Sequence, residues 1–419
     1  MSASSDSARV RARDVEAAAG RIAGALSPTP LHRSERLSQR HGLDVWLKRE
    51  DLTPVRSYKV RGALNFVSQL SPAQRERGLV CASAGNHAQG VAFACATLGV
   101  RARVYLPRTT PRQKRERVAG LGGSQVEVIM HGDTYDDAAT AAREHAAATG
   151  TTLIPAFDDP RTIAGQGTVV REVVEQLGRL PDALVVPVGG GGLLAGTLTW
   201  LGESGTTVIG AEPLGAASMT LALEHGTPVP VDDLDPFVDG AAVRQVGVHT
   251  HAIVAGHRPR LVTVPEGRIC VEMLDLYQSD GIISEPAGAL APAALGPELE
   301  LEPGATVVCL LSGGNNDVSR YAEIVERALV FEGRKHYFLV EFPQEPGALR
   351  QFLDDVLGPD DDITRFEYVK RNNRETGPAL VGIELGAPEN LESMLKRMEA
   401  TPHRIEPVSP DSPLFTFLV

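Results

Sequence analysis

Hydrophobic residues in this chain are concentrated in short, nearly uninterrupted segments that alternate with helix-like segments as far as about residue 330. The segments predicted to be strands cover residues 78–83, 101–107, 125–130, 183–189, 207–213 and 306–312. A helix is predicted over residues 10–26, and further helices are predicted to begin near Ala88, Pro111, Asp136, Gly165, Gly192 and Arg268. Nearly continuous apolar strands separated by helices predict parallel sheets covered on both faces, and therefore an α/β fold.

The pattern changes near Gly333, where we expect one domain, residues 1–333, to end and a second, residues 334–419, to begin. The elements predicted in the second domain are strands at 335–343, 362–371, 378–385 and 403–409 and helices from Pro346 and at 388–400. The first of these helices has one apolar face, which consists of Ala348, Leu349, Phe352, Leu353 and Val356. The resulting βαββαβ order is that of a ferredoxin-like domain.

Composition narrows the functional class. The 419 residues are 42% hydrophobic, enough for a sizeable core, and the formal net charge of -12 comes without a concentrated basic patch, which argues against nucleic-acid binding. The four cysteines form no CxxC pair and stand among small apolar residues, which predicts reduced thiols in a cytoplasmic protein rather than metal ligands. Neither a signal peptide nor a membrane-spanning run is expected.

Four motifs carry the candidate chemistry, and the first surrounds Lys59 in the segment KREDLTPVRSYKVRGA, residues 48–63. Lys59 stands at the predicted start of a helix, where the positive end of the helix dipole disfavours the ammonium form. A neutral amine is what a lysine needs to form a Schiff base. Taken alone, the motif is explained more simply by a surface lysine on an amphipathic helix.

The second motif, SAGNHAQG at residues 83–90, follows an apolar strand and precedes a helix. Its small residues let backbone amides approach an anion at the helix N-terminus, and Asn86 supplies a side-chain amide that can bond a ring hydroxyl. A plain strand-to-helix turn explains the motif equally well when it is considered alone.

The third motif, VGGGGLLAG at residues 188–196, places four consecutive glycines after a buried strand. Their N–H groups, with no side chains in the way, suit a phosphate. The spacing is not the GxGxxG of a dinucleotide site, but Glu212 stands about 20 residues further on, where such a site has its acidic residue. A nucleotide site therefore stays open on this evidence.

The fourth motif, LLSGGNN at residues 310–316, lies at the end of another apolar strand. Ser312 can offer a neutral hydroxyl to a ring nitrogen, and a tight turn is the simpler explanation of this segment alone. The second, third and fourth motifs nevertheless each follow a predicted strand, which is where doubly wound folds bind their ligands.

In this order, the four motifs resemble those of the fold type II pyridoxal-phosphate enzymes, and within them those of the threonine dehydratases. Residues 157–168, 239–247 and 285–291 are similar to the family's corresponding stretches, so the resemblance covers nearly the whole chain. It implies a two-lobed, tryptophan synthase β-like catalytic unit with parallel sheets and pyridoxal 5'-phosphate as cofactor. The segment YFLVEFPQEPGALRQFL at 337–353 resembles the ACT-like regulatory domain of biosynthetic threonine dehydratases, here in a single copy.

The resemblance also implies a role for each motif. It assigns Lys59 to the Schiff base with the cofactor, Asn86 to the ring hydroxyl and Ser312 to the pyridine nitrogen. It assigns the cofactor phosphate to the loop formed by Gly189, Gly190, Gly191, Gly192 and Leu193. It places the substrate carboxylate at the loop formed by Ser83, Ala84, Gly85, Asn86 and His87.

The activity implied is removal of water and then ammonia from L-threonine, which gives 2-oxobutanoate at the first step of isoleucine biosynthesis, with Lys59 as the base. The ACT-like domain implies inhibition by isoleucine, with valine as an antagonist; a dimerisation module that binds no ligand is the alternative. A homo-oligomer, either a dimer or a tetramer, is expected.

Two positions depart from the family's commoner residues, and other functions of the same fold stay open. Tyr58 stands where Phe is commoner, and Ala84 stands where serine racemases carry a second serine as acid–base, so dehydration is favoured over racemisation. L-serine dehydration is a further alternative, because the single methyl group that separates the substrates is worth only about 1–3 kcal/mol in a pocket. A non-catalytic amino-acid sensor would have lost Lys59. Glu212 and Ser218 lie where some relatives bind a cation.

Overall fold

The computed structural model describes residues 10–370, 374–409, 412, 414, 415 and 418, and the chain divides into two compact units. The first unit comprises Met1–Glu266 and Asp275–Asn316, and the second comprises Gly267–Leu274 and Asp317–Val419. Within the described ranges, no helix has the length and apolar character needed to cross a membrane. The four cysteines are buried and, among the described residues, none forms a disulfide, as predicted.

The strands described in the first unit form two sheets. They are β1 (Leu31–Arg33), β2 (Asp44–Arg49), β3 (Leu79–Ala82), β4 (Ala102–Leu106), β5 (Val126–Met130), β6 (Thr152–Leu153), β7 (Ala183–Pro187), β8 (Thr207–Pro213), β9 (Arg260–Val264) and β10 (Thr306–Leu311). One sheet has the order β1-β2-β10-β7-β8-β9 and is parallel except for the antiparallel edge pair of β1 and β2. The other has the order β5-β4-β3-β6 and is parallel throughout. The predicted parallel sheets are confirmed.

The helices that cover these sheets bury two apolar cores. Those that lie wholly in the first unit are α1 (Ala12–Ile22), α2 (Glu35–His41), α3 (Lys59–Ser68), α4 (Pro72–Arg77), α5 (Asn86–Leu98), α6 (Arg112–Gly122), α7 (Tyr135–Thr149), α8 (Pro160–Leu177), α9 (Gly192–Leu201), α10 (Ser218–His225), α11 (Val248–His257) and α13 (Pro286–Ala293). Between α11 and α13 in sequence comes α12 (Glu266–Gln278), whose residues Gly267–Leu274 belong to the second unit. One core joins α1, α8 and α9 to β7 and β10. The other joins α3 and α5 to β3 and β4, so each sheet has its own lobe.

The predicted elements of the first unit are present with small changes at their ends. The six predicted strands are β3, β4, β5, β7, β8 and β10, and the helix predicted at 10–26 is the shorter α1. The largest difference is α8, which begins at Pro160 rather than near Gly165. The Asp159 side chain accepts a hydrogen bond from the Arg161 backbone and caps the helix there, and Pro160 at its first position suits that start.

The second unit has the predicted ferredoxin-like order, preceded by one further helix. Its elements are α14 (Tyr321–Phe331), β11 (Lys335–Pro343), α15 (Ala348–Val356), β12 (Asp362–Tyr368), β13 (Thr376–Glu384), α16 (Leu391–Ala400) and β14 (Arg404–Pro407). The sheet is antiparallel, in the order β12-β13-β11-β14. Residues 371–373, at the end of a predicted strand and the start of the following turn, lie outside the described residues.

Two details of α15 correct the prediction. The helix begins at Ala348 rather than Pro346, because Gly347 before it adopts a left-handed conformation with φ of 98° that ends the preceding turn. Its apolar face is buried at Ala348, Phe352 and Val356, whereas Leu349 is 40% exposed.

The core of the second unit contains a buried imidazole, that of His403. Its ring lies 5.2 Å from the ring of Phe342 and 6.0 Å from that of Phe352. Neither ring nitrogen has a hydrogen-bond partner in the part of the chain that the structure describes. Burial lowers the pKa of His403, and the nearby Asp355 carboxylate opposes this. The folded state therefore favours the neutral form of His403.

We expect His403→Leu to stabilise the second unit and to flatten its pH dependence. The pKa is lower in the folded state than in the unfolded state, so the unfolded state binds more protons and stability falls as the pH drops below about 6.5. The substitution removes this linkage and two unpaired buried nitrogens, a gain on the order of 1–3 kcal/mol. Calorimetric unfolding of the full chain at about pH 7.5 and about pH 5.5 measures both effects. An equal loss of stability on acidification in both proteins would contradict the assignment.

Candidate active site

Two of the sequence motifs meet at residues 285–287, at the start of α13. Asn86, the first residue of α5, donates through Nδ2 to Oε1 of Glu285 at 2.6 Å. Ser312, which follows β10, donates through Oγ to the carbonyl oxygen of Ala287 at 3.0 Å. The ends of β3 and β10, which belong to different sheets, are thereby joined through one short segment.

The other two motifs meet at residues 240–241. The Lys59 Nζ donates to the carbonyl oxygen of Gly240 at 3.3 Å. A Cβ on Gly189 would come within 2.8 Å of the carbonyl oxygen of Ala241. Since a Cβ on Gly240 would also lie 3.5 Å from Oε1 of Glu285, the two meeting points adjoin. The structure therefore brings all four motifs to one place.

The Lys59 amine lies in an environment that favours its neutral form. Lys59 is the first residue of α3, and burial lowers the pKa of its ammonium. The carboxyls of Glu285 and Asp239 act in the opposite direction. A buried amine with a lowered pKa can serve both as a nucleophile and as a base.

A buried ionic cluster fixes the helix that carries Lys59. Arg61 is completely buried and donates through Nε to Glu50 at 2.8 Å and through Nη1 to Glu172 at 2.6 Å. Lys48 donates to the second oxygen of Glu172 at 2.7 Å. Two cations and two anions thus balance inside the protein, as buried charges require. This cluster ties the first turn of α3 to the end of β2 and to α8.

The four glycines after β7 form a cradle that side chains would fill. A Cβ on Gly190 would overlap the ring of Phe157, and one on Gly191 would lie 2.5 Å from Cε of Met219. Gly191 has φ of 86° and precedes Gly192, the first residue of α9. No side chain in the described part of the chain caps this helix. The first-turn N–H groups of a helix lack intrahelical partners, so this cradle fits a phosphate.

The loop at residues 83–87 presents a second helix N-terminus. The Ser83 Oγ accepts from the Gly85 backbone N–H at 3.3 Å, and Gly85 precedes α5. The Nε2 of His87 forms a hydrogen bond with the carbonyl oxygen of Ile154 at 3.1 Å. Because a carbonyl oxygen only accepts, Nε2 carries the hydrogen. Burial lowers the pKa of His87 to about 4. Ala84, partly exposed in this loop, has no hydroxyl.

Sequence reasoning gave no individual role to Glu285. Its side chain is buried, and burial together with the nearby Asp239 raises its pKa to about 7, while Lys59, the hydrogen bond from Asn86 and Lys114 act in the opposite direction. A carboxyl group so close to the Lys59 amine is a candidate counter-charge for it. The available signal was one acidic residue in the otherwise apolar segment EPAGALA at 285–291.

Glu212, the residue on which a nucleotide site depended, is used elsewhere. Its Oε1 accepts from the Met219 backbone at 2.7 Å, and its Oε2 accepts from the Thr220 backbone at 2.9 Å and from the Thr220 hydroxyl at 2.6 Å. Both carboxylate oxygens are thus used to cap α10. Within the described ranges, no group of three or more His, Cys, Asp or Glu side chains could hold a metal ion.

Comparison with known proteins identifies the class that this fold and site define. A family model described as pyridoxal-phosphate dependent enzyme matches residues 22–313, and one described as the C-terminal regulatory domain of threonine dehydratase matches residues 326–418. The chain is thus a pyridoxal-phosphate dependent enzyme of fold type II, with pyridoxal 5'-phosphate as its cofactor. The glycine cradle and the buried Lys59 amine fit that cofactor.

Full-length relatives narrow this class further. The chain is 59% identical over 410 residues to L-threonine dehydratase biosynthetic IlvA of Mycobacterium tuberculosis strain H37Rv, covering 97% of this chain and 95% of the relative. It is 54% identical to the protein of the same name from Corynebacterium glutamicum, covering 96% and 94%. The processed form of threonine deaminase isoform 2 from Solanum lycopersicum has a similar structure, with a TM-score of 0.72, 39% identity and coverage of 75% of this chain and 92% of that one. The chain belongs to the biosynthetic L-threonine dehydratase family.

Proposed function

We propose that this chain is a threonine ammonia-lyase, which converts L-threonine to 2-oxobutanoate and ammonia at the first step of isoleucine biosynthesis. The observation that carries the proposal is the partly buried Lys59, whose amine lies 3.3 Å from the Gly240 carbonyl oxygen and beside the glycine cradle. The regulatory-domain match over residues 326–418 supports the biosynthetic role.

Four parts of the site hold the cofactor in this proposal. Lys59 binds it covalently, and the N–H groups from Gly189 to Leu193 hold its phosphate at the start of α9. Asn86 faces its ring hydroxyl, and Ser312 faces its ring nitrogen with a neutral hydroxyl. When bound, pyridoxal phosphate supplies a conjugated ring that accepts electrons from the substrate α-carbon.

The Lys59 amine also acts as the base of the reaction. Burial lowers the pKa of Lys59 and so favours the neutral amine, the form that can take the α-proton of threonine. When Lys59 carries that proton, the Glu285 carboxyl beside it stabilises the ammonium. The cluster around Arg61 keeps the helix in place while Lys59 changes its charge.

The loop at residues 83–87 binds the substrate carboxylate through backbone N–H groups at the start of α5. Ala84 offers no hydroxyl from which a proton could return to the α-carbon, which favours elimination over racemisation. L-serine lacks only the methyl group of threonine, so it is a slower substrate rather than an excluded one.

The regulation and assembly of the enzyme are part of the same proposal. Residues 1–333 form the catalytic domain, and residues 334–419 form an ACT-like regulatory domain that binds isoleucine as inhibitor and valine as antagonist. The enzyme is a cytoplasmic homo-oligomer, a dimer or a tetramer. The second unit exposes apolar side chains, such as Leu339 and Val369, that contacts between subunits would bury. The four cysteines form no disulfide among the described residues, which suits a reducing compartment.

We expect the purified full chain with pyridoxal phosphate to form 2-oxobutanoate from L-threonine, with a kcat/KM about 10- to 200-fold above that for L-serine. Isoleucine should weaken the apparent affinity for threonine by a factor of about 5–150, and valine should reverse this. D-threonine is the matched control for the substrate, and leucine for the effector. Equal or faster turnover of L-serine would contradict the substrate assignment. No calorimetric binding of isoleucine or valine would leave the second unit as a dimerisation module.

A further inference from the structure

The segment LLSGGNN brings a second polar side chain to the site, that of Asn315. Its Nδ2 donates to the carbonyl oxygen of Val55 at 2.8 Å and to Oδ1 of Asn86 at 2.7 Å. A main-chain carbonyl can only accept a hydrogen bond, so the contact with Val55 fixes which end of the Asn315 amide is nitrogen. Both N–H groups of Asn315 are then in use, and Asn86 must present its oxygen to Asn315.

The other end of the Asn86 amide meets Glu285. The Asn86 Nδ2 donates to Oε1 of Glu285 at 2.6 Å. An amide nitrogen carries two hydrogens, so one N–H of Asn86 remains after this bond is made. The orientation of Asn86 thus follows from the Val55 carbonyl through two hydrogen bonds, without reference to any ligand.

The backbone around Glu285 is shaped to hold this arrangement. The Glu285 backbone N–H donates to the carbonyl oxygen of Gly313 at 3.2 Å, and a Cβ on Gly313 would overlap Oε1 of Glu285. The Glu285 side chain is 4% exposed and that of Asn86 is 7% exposed, so water does not compete freely for either group. The absence of a side chain at Gly313 therefore leaves room for the carboxyl group that receives the Asn86 hydrogen.

We propose that Asn315 and Glu285 are positioning residues. They hold the Asn86 amide with its oxygen toward Asn315 and its nitrogen toward Glu285, and they leave one N–H of Asn86 for an acceptor oxygen on the cofactor ring. This inference rests on the role of Asn86 in the proposed function. Asn315 and Glu285 act on the cofactor only through Asn86, by the chain of hydrogen bonds that runs from Val55 through Asn315 and Asn86 to Glu285.

The test uses the isosteric change Asn315→Asp, which reverses the direction of the hydrogen bond between residue 315 and Asn86. A carboxylate cannot donate, so Asn86 turns its nitrogen to residue 315 and its oxygen toward Glu285. We expect the dissociation constant of pyridoxal phosphate, measured by titration of the apoprotein, to rise about 10- to 100-fold. Asn390→Asp at the start of α16 is the matched control, because it makes the same chemical change in the other unit, and it should leave this constant unchanged.

A double variant, Asn315→Asp with Glu285→Gln, separates positioning from stability. The glutamine can donate to the turned oxygen of Asn86, so the unfolding temperature of the apoprotein should recover while the affinity for pyridoxal phosphate should not. If Asn315→Asp fails to fold, Asn315→Ala replaces it; that change leaves Asn86 held by Glu285 alone and should weaken binding about two- to tenfold.

Wild-type affinity in a folded Asn315→Asp or Asn315→Ala protein with a lowered unfolding temperature would overturn the proposal, because it would show that Asn315 has only a structural role. Recovery of affinity together with stability in the double variant would overturn it as well. The titration contains no threonine, so it is independent of the proposed activity. A wild-type protein that binds pyridoxal phosphate and fails to convert threonine would count against the proposed function alone.

Discussion

Lys59→Ala is expected to lower threonine turnover by at least about a thousandfold and to remove the visible absorption of the bound cofactor's Schiff base. One amine serves as covalent anchor and as base, so a single substitution removes both functions. Lys59 is only partly buried, so the substitution to alanine removes little of the core packing. The fold should survive, because the buried cluster around Arg61 still holds α3.

The matched control for Lys59→Ala is Lys396→Ala on α16. The Lys396 side chain is 70% exposed and pairs with Glu392 four residues earlier, a surface ion pair worth about 0.3–0.5 kcal/mol. It should leave both turnover and absorbance at the wild-type level. Circular dichroism of both variants checks their folding. Retention of absorbance and turnover by Lys59→Ala would mean that another group anchors the cofactor.

Continuous apolar strands were predictable from the sequence, whereas strands defined by tertiary pairing were not. The buried strands β7, β8 and β10 are unbroken or nearly unbroken apolar runs, and their predicted ends differ from the observed ones by at most two residues. In contrast, β2 ends in Lys48 and Arg49, and Lys48 is completely buried. Its charge is balanced by Glu172 from a helix 124 residues away, and no local pattern reveals that partner.

The remaining unpredicted strands have little local signal of their own. Strand β6 has two residues, β1 has three and pairs antiparallel at the edge of its sheet, and β9 begins with an exposed arginine at the other edge. Such strands are specified by their neighbours' unpaired N–H and C=O groups rather than by apolar periodicity. The strand order of the six-stranded sheet, which includes β1, β2 and β9, therefore could not be predicted from the sequence.

The candidate site shows the same division. The motifs that contain Asn86, the glycine loop and Ser312 were predictable because each follows an apolar strand, where doubly wound folds bind their ligands. The Lys59 motif was predictable from its resemblance to the family. Glu285 and Asn315 were not, because their importance depends on contacts with Asn86 across 199 and 229 residues of sequence. The asparagine pair of LLSGGNN gave no indication, on its own, that Asn315 would orient the amide of another residue.

Gly189→Ala is expected to lower kcat/KM for threonine by about a hundredfold, the effect of displacing a site by roughly 1 Å. The added Cβ would lie 2.8 Å from the carbonyl oxygen and 2.9 Å from the Cα of Ala241, so main chain must move. The residue before Ala241 is Gly240, whose carbonyl oxygen receives the Lys59 hydrogen bond. The substitution therefore perturbs the phosphate cradle and the lysine together, and the affinity for pyridoxal phosphate should fall with kcat/KM.

A glycine in open space separates this effect from a general cost of replacing glycine. Among the described residues nothing lies within 4 Å of a Cβ on Gly24, which follows α1 in the same unit. Gly24→Ala should therefore bind pyridoxal phosphate and convert threonine as the wild type does. Equal cofactor affinity and equal threonine turnover in the two variants would mean that the main chain at Ala241 can move to accept the Cβ without loss of function. The cradle would then not depend on the absence of a side chain at residue 189. A loss confined to Gly189→Ala, with unchanged unfolding temperature, would tie the close approach of these two segments to cofactor binding rather than to folding.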